Sequence, residues 1–354
     1  NAVDAGDTVN IVITNGDAGN ANTQLFVKAI GGSTAATTID SITIGAATKT
    51  TFTAAVRATT ITSSSAATAV YNGGIVGNLI NSADGTITFG ANMGIDGVVT
   101  VTTDNQGTMV FVQATASAVL ATGAIGNGPA TVKHLKIMTI NTSATSTHVS
   151  TFNADVSARV INVDHEGKVL FKGDVYSVTG MKFTSGTTAV VNFEPGKKMV
   201  GNIDAADSGE GTVIFGANTA NLIVVSGTTG VATNKLAAVT VSPNGAAVEA
   251  TFTGAVESTN VTNAGTGILV YTGAMTGITN ITAAGSVSIG GTHTGAIVNA
   301  GNDTGVVTIL DGIGVTGNIG AAGTGDFLSV NSTAATGNTT AYGGTVNATD
   351  VNLS

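Results

Sequence analysis

The chain has no cysteine, no tryptophan and only three prolines, and charged residues make up 9% of it. Without cysteine there is no disulfide framework and no thiol nucleophile, and the redox compartment stays open, because exported and cytosolic proteins share that absence. So little charge excludes a chain kept disordered by self-repulsion. Long apolar runs are also missing. No stretch approaches the roughly 18 to 20 continuous residues that cross a bilayer, so no transmembrane segment is expected. Asn1 is followed by neither the charged region nor the apolar core of a signal peptide, which reads as a mature segment or a fragment.

Basic residues are scarce as well. Twelve Lys and Arg face 21 Asp and Glu, a formal charge of −9, and Arg57 and Arg159 are the only arginines. Nucleic acid and anionic membrane both demand a concentrated basic face, so neither is an expected partner. The local group Lys133, His134 and Lys136 reads as a solvated rim.

What the chain does have is 49 glycines with Ala, Thr, Asn, Ser and Val. Gly, Asn and Asp supply turns between short β-branched runs, which reads as all-β. Period-two runs such as Val9 to Thr14 and Ile39 to Ile44 are predicted strands. So are Ala69 to Tyr71, Thr86 to Phe89, Val98 to Val101, Thr108 to Val112, Ile268 to Tyr271, Val287 to Ile289 and Val306 to Leu310. Ala114 to Pro129 lacks this pattern, and within it Ala116 to Ala121 is the best helical candidate, or else a protruding loop.

One pattern returns twice. Phe52, Val56, Ile61, Tyr71, Gly73 and Ile75 recur as Phe152, Val156, Ile161, Phe171, Gly173 and Val175. They recur again as Phe252, Val256, Val261, Tyr271, Gly273 and Met275, so the period is 100 residues. Inside each block runs a finer ladder of large residues: Phe52, Tyr71, Phe89, Phe111; then Phe152, Phe171, Phe193, Phe215; then Phe252, Tyr271, Ile289, Ile309, Phe327. Steps of about 20 residues suit a β-solenoid, in which each turn returns to the same lateral position one strand spacing higher. The wider gaps, Phe111 to Phe152 and Phe215 to Phe252, are expected to hold two steps each, making five coils per block.

The expected architecture is an elongated parallel β-solenoid (β-helix) of roughly 15 to 18 coils of about 20 residues. Its parts would be an N-terminal cap and first coils over 1–40, repeat blocks over 41–132, 133–235 and 236–330, and a C-terminal coil or assembly tail over 331–354. Tandem β-sandwich domains are the alternative, because about 100 residues is also one sandwich.

Candidate chemistry is thin. His165 lies between Asp164 and Glu166, but neighbours along a strand point to opposite faces, so the three cannot converge on one ion. His134, His148 and His293 are isolated and offer no ligand spacing. Gly312 to Gly317 spells a dinucleotide pattern that works only before a helix, and none is expected there. Asp155 and Asp174 lie nearly one coil apart and would stack as neighbours, the one carboxylate pair in reach of glycosidase chemistry, with pairing to Lys172 as the structural explanation.

Asp17, Asn20, Asp84, Asp96, Asp104, Asp204, Asp207 and Asp303 sit at turns, where oxygen ligands would suit calcium. No spacing matches a calcium loop, and turn formation explains the same residues, so metal ligation is left unknown and calcium is the one cofactor considered. Thr60 and Thr62, Thr86 and Thr88, and Thr100 and Thr102 form pairs like those on flat ice-binding faces, but not at every coil. The triplets from Asn260 and Asn280 read as glycosylation sequons that so Asn- and Thr-rich a chain also produces by chance. No catalytic or cofactor-binding residue is assigned, and an enzyme is not expected.

Phe252-Thr-Gly-Ala-Val256, Val270-Tyr-Thr-Gly273, Gly211 to Asn218 (GTVIFGAN) and Gly85 to Asn92 (GTITFGAN) resemble the passenger repeats of rickettsial surface cell antigens of the outer-membrane protein B type. The resemblance covers about residues 40 to 330. It implies an exported autotransporter passenger on the cell surface, able to form a surface layer or to mediate adhesion, and it carries over no site residue. The chain departs from that family in having no C-terminal translocator barrel.

From these observations a structural cell-surface protein is expected, extracellular and self-assembling into a surface layer or filament. Outer-membrane components or a host surface are further partners to consider. An adhesin binding a host cell or glycan is the alternative.

Overall fold

A computed structural model describes residues 9–13, 23–32, 39–45, 49–64, 66–128, 133–142, 147–184, 186, 188–321, 323–333 and 339–353. Among them there is no helix, and the strand ladders are parallel. This is the parallel β-solenoid, with about 14 turns of about 21 residues. Parallel pairing at every turn overturns the β-sandwich alternative, whose sheets are antiparallel. Turns number fewer than expected because some coils carry long connections, such as that between Phe111 and its partner Ile140. The chain forms two compact units, Asn1–Thr179 and Gly180–Ser354, divided inside the second repeat block.

In the first unit each coil has three sides, and an inward-facing column runs up each. Along the strand Lys49–Phe52 alternate residues turn inward, and Thr50 and Phe52 are buried. On the first side Phe26, Phe52, Tyr71, Phe89, Phe111, Ile140 and Val163 follow one another, one per coil. Val56, Ile75, Ile95, Ala121, Phe152 and Phe171 make the second column. Ile42, Ile61, Leu79, Val99, Ile125 and Val156 make the third.

These columns correct the expected coil count. Phe52, Val56 and Ile61 occupy the first, second and third sides, yet their counterparts Phe152 and Val156 stand on the second and third, and Ile161 falls back on the first. A 100-residue block is therefore four coils plus one further side, not five coils. Each copy of the motif is turned by one side relative to the one before. Phe111 is followed on its own column by Ile140, and the next ring, Phe152, belongs to the adjacent wall.

Ring geometry records the same step. Within a column rings stack nearly parallel, as Phe89 on Phe111 at 4.8 Å and 5° or Phe52 on Tyr71 at 4.9 Å and 12°. From Phe111 to Phe152 the centroids are 5.3 Å apart and the planes meet at 84°. Two walls of a coil face each other at an angle, so rings from different walls meet edge to face.

The second unit repeats the step. Phe193 and Phe215 share a column with the strands that carry Val239 and Val261. Phe252 stands instead on the wall of Met199, Val225, Tyr271, Ile289 and Ile309. Phe215 and Phe252 again meet edge to face, at 6.4 Å and 79°. Met181, Ile203, Thr229, Val256, Met275, His293 and Val315 line the third wall.

Gly77 shows why the corners are glycine. There the pairing of Val56–Ser63 with Ile75–Asn81 slips between Arg57 and Thr60, and Gly77 takes φ +132°. A Cβ on it would lie 1.6 Å from the Ala58 carbonyl oxygen, and Gly277 in the third block repeats the arrangement. The coils stack so closely at this corner that no side chain fits between them.

The helical candidate is corrected. Ala118–Ala121 is a strand, parallel to Val149–Phe152 and Ile95–Asp96, and Ile125 bridges Val99 and Val156. Leu120, Ala121 and Ile125 supply the buried apolar residues that hold this stretch in the wall, so propensity is overridden by burial. Asp17, Asn20 and Pro129 lie outside the described residues. No helix of the described residues is long and apolar enough to cross a membrane.

Candidate functional site

The sequence candidates do not come together. Among the described residues no group of three or more His, Asp or Glu side chains is placed to hold a metal ion. Asp84 accepts from Lys136 Nζ at 2.6 Å and from the Gly107 amide at 3.1 Å, and these bonds, the lysine first, hold its carboxyl below the usual range. Asp104 accepts the His134 amide at 2.9 Å and Arg159 Nη1 at 2.8 Å, and the amide bond does most to lower it. Both turn aspartates thus have cationic partners, and one of those partners is the rim residue Lys136.

Other turn carboxylates have local tasks. Asp96 Oδ1 accepts the Thr122 hydroxyl at 2.7 Å, and Asp303 Oδ1 accepts that of Thr349 at 2.5 Å. Half-buried Asp204 is pushed upward by burial, with Lys182 opposing. At Asp207 the backbone amide donates to Glu210 Oε2 at 3.0 Å.

Asp155 and Asp174 do stack on adjacent coils. The Asp174 amide donates to Asp155 Oδ1 at 2.9 Å, and the Tyr176 hydroxyl donates to Asp174 Oδ2 at 3.3 Å. Burial first, then the two carboxylates, push the Tyr176 phenol up to about 12. This is turn closure: Asp155 is occupied by a backbone amide of the next coil.

Each histidine has its own surroundings. His165 is exposed at a turn with φ 67°. His134 Nδ1 meets Ser157 Oγ at 2.6 Å, but Ser157 is fully buried beneath it and presents no nucleophile to solvent.

His293 is a core residue, which its isolation in sequence did not reveal. Its Nε2 lies 2.9 Å from Thr279 Oγ1, which in turn lies 3.1 Å from the Tyr271 hydroxyl. Nδ1 has no partner in hydrogen-bond geometry, although the Gly295 backbone is near enough to favour the charged form slightly. Burial dominates and lowers the imidazole to about 4.

Gly312 to Gly317 contributes the short strand Gly314–Val315, paired with His293–Thr294 and Ala341–Tyr342, and no helix N-terminus. The threonine pairs divide between walls: Thr62 lies in register with Thr43 and Ile80 on one, Thr86 with Thr68 and Thr108 on another. Asn260 and Asn280 stack with Nδ2 to Oδ1 at 3.5 Å.

One concave feature of the first unit was not legible beforehand. A shallow groove runs over the corner where Gly73, Gly74 and Gly94 leave the backbone bare, with Arg57 and Asp96 on its lining. The only signal in the sequence was that Arg57 is one of two arginines. Comparison of the chain with family models, with curated proteins and with solved structures finds no match.

Proposed function

We propose that the protein is a structural component of a cell surface, extracellular and self-assembling into a surface layer or filament. One observation carries this reading. On one wall of the third block two outward columns are uncharged and in register: Thr240, Thr262, Asn280 and Val298 on one line, Ala238, Asn260 and Ile278 on the next. After Lys235 the chain has no Lys or Arg. A regular wall of short side chains with almost no charge loses little hydration on packing against a neighbour, and it orders few flexible groups. The resemblance to autotransporter passenger repeats agrees with such a placement, with other copies of the chain as first partner and outer-membrane or host components as further ones.

Electron microscopy of the purified chain at increasing concentration, with and without calcium, tests the proposal. Ordered sheets or filaments are expected. Dispersed particles under every condition would remove self-assembly and leave the adhesin alternative, which the exposed Arg57 groove favours over an inert scaffold.

A further inference from the structure

We infer that the groove beside Arg57 is a binding site for a sugar acid, a ligand with one carboxylate and several hydroxyls. The inference is independent of self-assembly. Arg159, the other arginine, is paired with Asp104, whereas among the described residues the Arg57 guanidinium makes no ion pair or hydrogen bond. It is nonetheless partly buried against the wall of the groove. A guanidinium held in a concave surface with its donors unspent is suited to a planar carboxylate, which it grips with two parallel bonds.

The opposite end of the groove decides the ligand class. Arg57, Val76 and Asp96 follow one another in register on successive coils, so Asp96 stands two strand spacings from Arg57, about 9.6 Å. Asp96 Oδ1 is engaged by Thr122, and the rest of its carboxylate can only accept. A second negative charge there would be repelled, which disfavours polyanions and phosphate diesters. Hydroxyl donors would be satisfied. Between the two charges lie Val76 and the bare backbone of Gly73 and Gly74, and half-exposed Met93 and Val119 continue the lining on the coil of Asp96 and the one beyond it, an apolar surface fit for the C–H face of a pyranose.

The glycines make the floor and cannot be replaced. A Cβ on Gly73 would lie 2.2 Å from the Ala54 carbonyl carbon, and one on Gly94 2.0 Å from the Leu120 oxygen. In the other two blocks Ser157 and Glu257 occupy the position of Arg57, so the cationic groove belongs to the first block alone.

The test is a titration of the isotope-labelled chain with D-galacturonate, followed by backbone amide shifts, with D-galactose and acetate in parallel. Galacturonate is expected to shift Gly73, Gly74, Gly94 and Val76, and to bind at least about tenfold more tightly than either comparator. R57Q should lose that binding by about tenfold or more, the loss of one charge-assisted pair, while its remaining amide spectrum stays that of the folded parent. D96N should weaken galacturonate binding, because the hydroxyl acceptor at that end of the groove is lost. Equal binding of galactose or acetate, retention of galacturonate by R57Q, or no shift in the groove at about 10 mM would each overturn the assignment.

Discussion

Acidification should weaken the second unit through His293. The imidazole is neutral in the folded wall, lowered to about 4 by burial, whereas in the unfolded chain it titrates near 6.5. The unfolded state therefore binds more protons between those values, and stability falls as pH drops through that window and levels off below it. Between pH 7.5 and 4.5 the linkage amounts to about 2.5 kcal/mol. H293M, which copies Met275 one coil below on the same column, removes the titrating group while keeping an apolar filling. Urea unfolding followed by far-ultraviolet circular dichroism at pH 7.5, 6.0, 5.2 and 4.5 measures both chains. The parent should lose stability steadily across the series and H293M should change little. Parallel curves for the two would refute the buried, neutral histidine.

Three other outcomes are expected. F89A, which removes the ring between Tyr71 and Phe111, should cost about 3 to 5 kcal/mol in urea unfolding, with part of that loss recovered in F89L. G77A should destabilise strongly, because its Cβ would meet the Ala58 carbonyl in a backbone that L-residues rarely adopt. G209A, at φ +87° with open space around it, should cost only about 1 kcal/mol, and thermal midpoints compare the two. D104N should change stability by less than about 1 kcal/mol, and the change should shrink further in 1 M salt, since the pair with Arg159 is partly exposed.

Much of the wall was legible residue by residue. Ile39–Ile44 and Ile268–Tyr271 are strands with the predicted limits, and Thr86–Ala91 and Gln106–Val112 differ only at their ends. Alternation showed which of their residues turn inward, because a strand has only two faces. The same alternation failed at Ala118–Ala121, where Ala, Val and Leu carry no period and only the neighbours Ile95 and Phe152 specify a strand.

The sequence by itself determined that large apolar residues recur about once per coil and that the whole pattern repeats every 100 residues. It could not determine how many coils a repeat fills, because coil length varies, with Tyr71 paired to Phe89 but Phe111 paired to the more distant Ile140. Only the folded register shows that each copy of the motif advances by one wall, so that Phe152 meets Phe111 edge to face. Register likewise decided the sites. It buried His293 against Thr279 and Tyr271, gave Asp84 and Asp104 to Lys136 and Arg159, and left Arg57 facing a groove. Those pairings join residues up to 55 positions apart. Local sequence carries the strand period and the turns, whereas contacts between coils follow from the accumulated length of every turn between them.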